Sequence, residues 1–419
     1  MKQFCRDVVV TGLGAVSPFG GGIDALWHNV RQGHSAVDWI EGLGDLDPEL
    51  YPVRFAAEVK GFDVAKYLKQ HCAPRLGKTV QMGLVAAREA LLQARLLDEE
   101  ERVRDIGTPV SAILGSAHGP CHETEIGYEA YFQHGPAAVR PTTVPMCMFN
   151  SLSSNISIHF GLTGSNHVIA SACSSATTAI GLALLLIRHG YAEVVLCGGA
   201  DAPLTSPLFS SWTKLRVLAE HDDPKQASRP FDRRRNGLVL GEGAAIAVLE
   251  SRESAERRGV TPLARVAGFG SSSDAQHITT PCVGGQVRAM KACLFDADVD
   301  PQCVDYLNLH GTATRANDET EARAVAEVFG PRGRRMPASS TKSTLGHAAG
   351  ASGAMEFAIC VQALRDRFVP PTINCDDPDP EVGLDYVPYE GRAHSVQFAM
   401  SNSFAFGGNN ASILLGTCD

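Results

Sequence analysis

Short β-branched runs alternate with helical stretches along almost the whole chain, and the alternation is run through twice. Such an order favours layered α/β packing, because each helix must lay its apolar face on a sheet. The strand candidates are Asp7–Thr11, Val110–Leu114, Val194–Cys197, Ala244–Leu249, Tyr306–Leu309, Gln397–Met400 and Ala411–Leu415. The helix candidates are Thr79–Ala94, Ser175–His189, Gln286–Ala297, Asp318–Phe329 and Gly353–Arg365. In the first of these, Val80, Leu84, Ala87 and Leu91 recur at helical spacing. The first pass reaches a small-residue turn, a helix and the pair Gly198 and Gly199, then closes in GAAIAVLE. The second reaches a Gly-rich turn, a helix and the pair Gly407 and Gly408, then closes in NNASILLG. The seam is placed near residues 251–262, which divides the chain into halves 1–255 and 256–419. Pro370, Pro371, Pro378 and Pro380 read as a surface loop.

Several function classes are disfavoured early. A formal net charge of -9 argues against nucleic-acid binding, which needs a concentrated basic surface. The clusters Arg233 to Arg235 and Arg332, Arg334 and Arg335 are short and read as solvated loops. No apolar run approaches the ~20 residues that span a bilayer. The opening MKQFCRDVVVTGLG lacks the core and cleavage pattern of a signal peptide, so a cytoplasmic protein without membrane contact is expected. Twelve cysteines include no C-x-x-C, so neither zinc nor a dithiol motif is indicated. Gly12 and Gly14 open like a dinucleotide-binding turn, but the third glycine is missing and Pro18 breaks the helix that should follow.

One cysteine stands apart. In HVIASACSSATTAIG an apolar strand runs into a small-residue turn, and a long helix begins just after Cys173. The N–H groups and macrodipole at a helix start favour an anion, so this setting is expected to lower the thiol pKa and activate the sulfur. Two histidines sit in comparable settings. His310 follows a strand and precedes Gly311, Thr312 and Thr314. His347 follows Lys342 and Gly346 on a turn rich in small residues. A lone histidine is more often a structural residue, but three Gly-flanked strand-to-turn junctions bearing one Cys and two His point to a shared site.

At these residues the sequence resembles the β-ketoacyl-ACP synthases of the thiolase superfamily, most closely the synthase II type. The resemblance is carried by VVVTGLGAVSPFG, ACSSA, SRPFDRRRNGLVLGEGAA, HGTAT, STKSTLGHAAGASGAMEFA, VPPTIN and SNSFAFGGNNAS, which together span essentially the whole chain. It implies an α/β, thiolase-like, duplicated five-layer αβαβα fold. It implies a catalytic Cys173, His310 and His347, with Lys342 as an electrostatic partner of Glu356. It implies an oxyanion hole made by the backbone N–H groups of Cys173 and Phe406, and a gate at Phe406. Thr279, Thr312 and Thr314 match positions that bind the phosphopantetheine arm, and Phe404 lies beside the acyl pocket. No cofactor is required for the chemistry, but a structural Na+ or K+ is implied at Asn308, Glu356, Ser401 and Asn402. The implied partners are acyl carrier protein and a second subunit, either the same chain or a chain-length-factor-like one. Arg75, Lys78, Lys214 and Arg216 are candidates for the basic patch that meets the acidic carrier.

Three departures from the pattern stand out. Ala405 replaces the usual glycine between the two phenylalanines, which would restrict the gate if φ there were positive. His118 occupies a position that is usually apolar in the pocket, which suits an unsaturated or oxygenated chain. Ala176 ends the nucleophile turn in place of a frequent glycine. These features leave fatty-acid elongation and a type II polyketide or polyene ketosynthase as the two readings. A non-catalytic chain-length partner is disfavoured because such partners typically lack the cysteine. A degradative thiolase is disfavoured because the closing segment offers phenylalanines where a second cysteine would act.

Overall fold

The computed structural model describes residues 6–68, 76–380 and 383–418. Its strands are β1 (Val8–Ser17), β2 (Val110–Gly115), β3 (Asn166–Ile169), β4 (Val194–Asp201) and β5 (Gly243–Ser251), then β6 (Ala264–Ser273), β7 (Tyr306–Asn308), β8 (Ala338–Ser339), β9 (Phe398–Ala405) and β10 (Asn409–Gly416). They form two five-stranded sheets joined through one short pairing, and the path across both is β8-β7-β9-β10-β6-β1-β5-β4-β2-β3. Raising each label in β3-β2-β4-β5-β1 by five reproduces the other side of this path. The pairing senses repeat as well. β2 runs parallel to β3 and β4, and β7 runs parallel to β8 and β9. The remaining pairs within each side are antiparallel. Among the described residues, strand pairing joins the two sides only where Val9 and Val10 pair with Arg265 and Ala264.

Helices complete five layers. α1 (Lys78–Gln93) and α3 (Ser151–Phe160) cover the outer face of the first sheet. α4 (Ser175–Arg188) and α8 (Ser352–Asp366) lie between the sheets. α6 (Val283–Ala297) and α7 (Arg315–Phe329) cover the second. α8 is buried from Ser352 through Leu364, as a helix enclosed on all sides must be. α2 (Cys121–His134) and α5 (Ser206–Leu215) flank the site described below.

The strands β1, β4 and β9 run well past their expected ends, and β6 was not expected at all. Glycine explains two of these differences. A Cβ on Gly12 or Gly14 would lie 2.0 Å from a carbonyl oxygen of α1, and one on Gly268 or Gly270 would come within 2.6 Å or 2.2 Å of a carbonyl oxygen of α6. The Gly12 and Gly14 pair is therefore a helix-packing device, and ARVAGFGSSS repeats it in the second half.

Two readings of loops are corrected. Arg235 is 1% exposed and lies near Asp379 (3.0 Å), Glu319 (3.3 Å) and Asp318 (3.7 Å), so only Arg233 and Arg234 are solvated. A buried guanidinium needs that carboxylate company, because its desolvation is otherwise prohibitive. Pro370 and Pro371 are buried, whereas Pro378 and Pro380 are exposed. No helix among the described residues is long and apolar enough to cross a membrane.

Candidate active site

Cys173 sits in a tight turn, Ala172–Ser174, that leads directly into α4. Ala172 has φ 51, a left-handed conformation that bends the chain sharply before the nucleophile. The turn is held by Ser174 Oγ donating to the Ser171 carbonyl (2.8 Å) and by Ser171 N–H donating to Ser175 Oγ (2.9 Å). A Cβ on Gly115, at the end of β2, would lie 2.4 Å from Ala176 N. That contact fixes the start of the nucleophile helix against the sheet.

His310 follows β7. Its N–H and that of Gly311 each donate to the buried Glu321 carboxylate on α7 at 2.8 Å. His347 is placed by its N–H donating to the Val239 carbonyl (2.7 Å), while its Nδ1 lies 3.0 Å from Ser352 Oγ. That contact leaves Nε2 to face the chamber. The Cys173 sulfur and one nitrogen from each imidazole all lie within 4.8 Å of one another. The two rings stand nearly perpendicular, with centroids 5.4 Å apart. Residues separated by up to 174 positions in the chain thus converge on one chamber.

Burial governs the electrostatics here. Desolvation holds both imidazoles well below the usual 6.5, and the positive charge of Lys342 pushes them the same way. Both are therefore neutral at physiological pH. Lys342 makes a short, buried ion pair with Glu356. Burial pushes the Glu356 carboxyl up to about 7 against the pull of that lysine.

The thiol departs from the sequence expectation. Although Cys173 keeps a partly exposed face, its surroundings desolvate the sulfur and push the thiol up to about 11. Lys342 and the N–H groups of Phe406 and Cys173 pull in the opposite direction without winning. A helix start contributes less than full desolvation costs, so the resting nucleophile is a neutral thiol. Alkylation of Cys173 by iodoacetamide should accordingly keep accelerating with pH until about 11. A rate that levels off near pH 7, measured by peptide mass spectrometry, would contradict this.

A cavity of about 330 Å³ opens over the sulfur, lined by Cys173, Thr279, Thr312, Thr314, Phe404 and Phe406 among others. The hydroxyls of Thr312 and Thr314 are 2.8 Å apart. Phe404 lies edge-on to His310 at 6.2 Å. The Phe406 N–H lies beside the sulfur and favours its thiolate form. Ala405 has φ -107, ordinary extended backbone, so it fits here without strain. The positive φ values fall on Gly407 and Gly408.

The structure also supplies residues that the sequence reading missed. Asp201, at the end of β4, accepts from Ser116 Oγ (2.7 Å) and from the N–H groups of Ala117 (2.8 Å), His118 (3.2 Å) and Gly350 (2.7 Å). It ties the loop bearing His118 to the turn after His347. Its only sequence signal was a carboxylate two residues after a glycine pair. Glu321 had none beyond being a second acid three residues after Asp318 on the buried face of α7. Trp212 of α5 lines the cavity and stacks on Phe406. His118 is not in the cavity wall itself but meets Trp212 edge-on.

The four oxygen-bearing residues divide. Asn308 and Ser401 are register partners on adjacent strands. Asn308 Oδ1, Ser401 Oγ and Glu356 Oε2 are each buried with no hydrogen-bond partner. Asn402 does not join them with its side chain, because its Oδ1 accepts from Ser412 Oγ (2.7 Å) and its amide lies against Met290. Alternation along β9 turns it to the opposite face from Ser401. Among the basic-patch candidates, Lys78 is taken up by the buried Glu242 at 2.5 Å. Lys214 and Arg216 are exposed on either side of the cavity-lining Leu215. Arg75 lies outside the described residues.

A two-sheet, five-layer fold with a cysteine and two neutral histidines at one chamber defines the thiolase-fold enzymes that work through a cysteine thioester. The chain belongs to the β-ketoacyl synthase family: residues 5–255 match its N-terminal domain and residues 263–376 its C-terminal domain. It is 38% identical over 408 residues to the 3-oxoacyl-[acyl-carrier-protein] synthase 2 of Staphylococcus aureus (strain COL), covering 97% of each chain. Among solved structures it resembles the ishigamide ketosynthase/chain length factor, with a TM-score of 0.91 and 33% identity over 99% of this chain and 100% of that one. It also resembles a type II PKS ketosynthase solved with its acyl-carrier protein and bound to the hexaketide, with a TM-score of 0.90 and 29% identity over 99% of this chain and 100% of that one.

Proposed function

We propose that the chain is a β-ketoacyl-[acyl carrier protein] synthase that performs a decarboxylative Claisen condensation in fatty-acid elongation. The observation that carries this reading is the sulfur and two neutral imidazoles within 4.8 Å of one another. Cys173 attacks the acyl thioester, and the thiol proton leaves with the departing phosphopantetheine thiol. The N–H groups of Cys173 and Phe406 hold the developing oxyanion. Malonyl thioester then binds along Thr279, Thr312 and Thr314. His310 and His347 donate to its carbonyl as CO2 leaves, which stabilises the enolate. Neutral donors suit this step, because an enolate forms and no proton needs to be delivered to carbon. The enolate carbon attacks the acyl-Cys173 carbonyl, the sulfur leaves, and a proton from solvent restores the thiol. The test is to supply malonyl-carrier protein with a panel of acyl-carrier proteins and read the product by mass spectrometry. A chain extended by two carbons supports the reading, and its absence across the whole panel sinks it.

The similarity to ketosynthases of type II polyketide systems, together with His118 and Trp212, supports a second reading. In it the chain is a ketosynthase subunit of a polyketide or polyene pathway, paired with a chain-length-factor subunit. Under either reading a carrier protein would dock at Lys214 and Arg216, beside the cavity mouth. A partner subunit would extend the sheet at β3, an edge strand whose first residues are exposed. Ile126, Tyr128 and Phe132 of α2 and Val144 are exposed apolar residues in the segment between β2 and β3. A second copy of the chain is the simplest occupant.

The unpaired oxygens of Asn308, Ser401 and Glu356 fit a hard monovalent cation, Na+ or K+, because a buried oxygen without a donor is costly and a cation would satisfy all three. Such an ion would brace β7, β9 and α8 behind the chamber without touching substrate. Exchanging K+ or Na+ for tetramethylammonium at constant ionic strength should then lower the Tm by several degrees. Asn308→Leu should abolish that difference. An unchanged Tm in the wild-type protein would remove the ion from the account.

A further inference from the structure

We propose that the acyl group carried by Cys173 is planar and conjugated at its first carbons, a 2,4-dienoyl or longer polyenoyl chain, and that Trp212 selects it. The inference rests on the second reading above, a polyene ketosynthase, and specifies which acyl groups it prefers and which residue selects them. Three rings stand in a row beside the sulfur. Phe406, whose N–H faces the thiol, stacks on Trp212 with centroids 6.0 Å apart and planes 23° from parallel. Trp212 also meets the His118 ring at 6.2 Å and 66°, edge to face. Trp212 and Cys173 line the same cavity.

Phe406 stands in the cavity wall over Cys173, and Gly407 and Gly408 next to it, both at positive φ, give its backbone a place to turn when an acyl chain loads. When Phe406 moves, Trp212 loses its stacking partner. A conjugated chain is flat and presents a π face, so it restores that contact. A saturated chain presents out-of-plane hydrogens and restores less of it. His118 braces Trp212 from outside the cavity. Its Nδ1 is buried without a hydrogen-bond partner, while its backbone N–H is held by Asp201 at 3.2 Å. His118 does not line the cavity, so it acts on Trp212, whose ring it meets edge-on, and not on the chain itself.

The experiment is a competition. Equal amounts of hexanoyl- and 2,4-hexadienoyl-carrier protein are offered to the intact protein, and the two Cys173 adducts are timed by mass spectrometry. Each rate is divided by that of the same thioester with free N-acetylcysteine, which removes intrinsic reactivity. The dienoyl adduct should form about five-fold faster, equivalent to about 1 kcal/mol. Trp212→Leu should bring the ratio close to one, while Trp212→Phe, which keeps a flat ring, should retain most of it. A wild-type ratio at or below one overturns the proposal, and so does an undiminished ratio in a folded Trp212→Leu protein. If Trp212→Leu does not fold, the wild-type ratio decides. Failure of both thioesters to load Cys173 would instead sink the acyl-transfer reading itself.

Discussion

Cys173→Ala protein incubated with acyl-carrier protein should gain no mass, and no extended product should form. The argument is one of chemistry rather than stability. Every step of the condensation passes through a thioester on this sulfur, and no other side chain takes its place. Among the described cysteines, Cys197, Cys293 and Cys360 are buried in the core, where desolvation makes the thiol still less reactive. The substitution removes one sulfur from a half-exposed turn of small residues, so folding should change by about 1 kcal/mol or less. Circular dichroism and thermal melting should therefore look native while acylation disappears. Extension at the normal rate by this variant would end the proposed mechanism.

His347→Ala separates the two half-reactions. Acylation of Cys173 needs the sulfur and the N–H groups that face it, none of which His347 supplies. Decarboxylation needs donors aimed at the malonyl carbonyl, and removing one of a pair of such donors typically costs about 10²–10³ in rate. The acyl-enzyme should therefore form and accumulate while extension falls by about 10²–10³. Intact-protein mass spectrometry reads the first and product analysis the second. Equal losses in both steps would mean that His347 also serves the thiol. The neutral state of both imidazoles adds a pH condition. Their depressed pKa keeps them neutral through pH 6.5, so wild-type extension should fall only well below that value.

Much of this site was legible before any coordinates. ACSSA and HGTAT each combine a reactive side chain with glycine or small residues just past a strand, whereas His347 was expected at such a junction and instead follows Gly346 at the end of the short helix Lys342–Leu345. Such places expose a group while a rigid scaffold holds it. The duplication was legible as an order of elements, though β6 was hidden because its glycines look like a turn. The activation of Cys173 was misread. The helix start is local and visible in the sequence, whereas the desolvation that outweighs it comes from chain far away. Arg235 was misread for the same reason, since the carboxylates around it lie 83 to 144 positions later in the chain.

The order of strands and helices, the identity of the nucleophile and the two histidines were determined by local pattern, because hydrophobic period, turn residues and reactive groups are short-range properties. The distances among sulfur and imidazoles, the protonation of each, the three orphaned oxygens and the ring row through Trp212 were decided by tertiary packing alone. Those properties depend on how completely water is excluded and on which distant groups replace it, and both are set only when the two sheets close on α4 and α8.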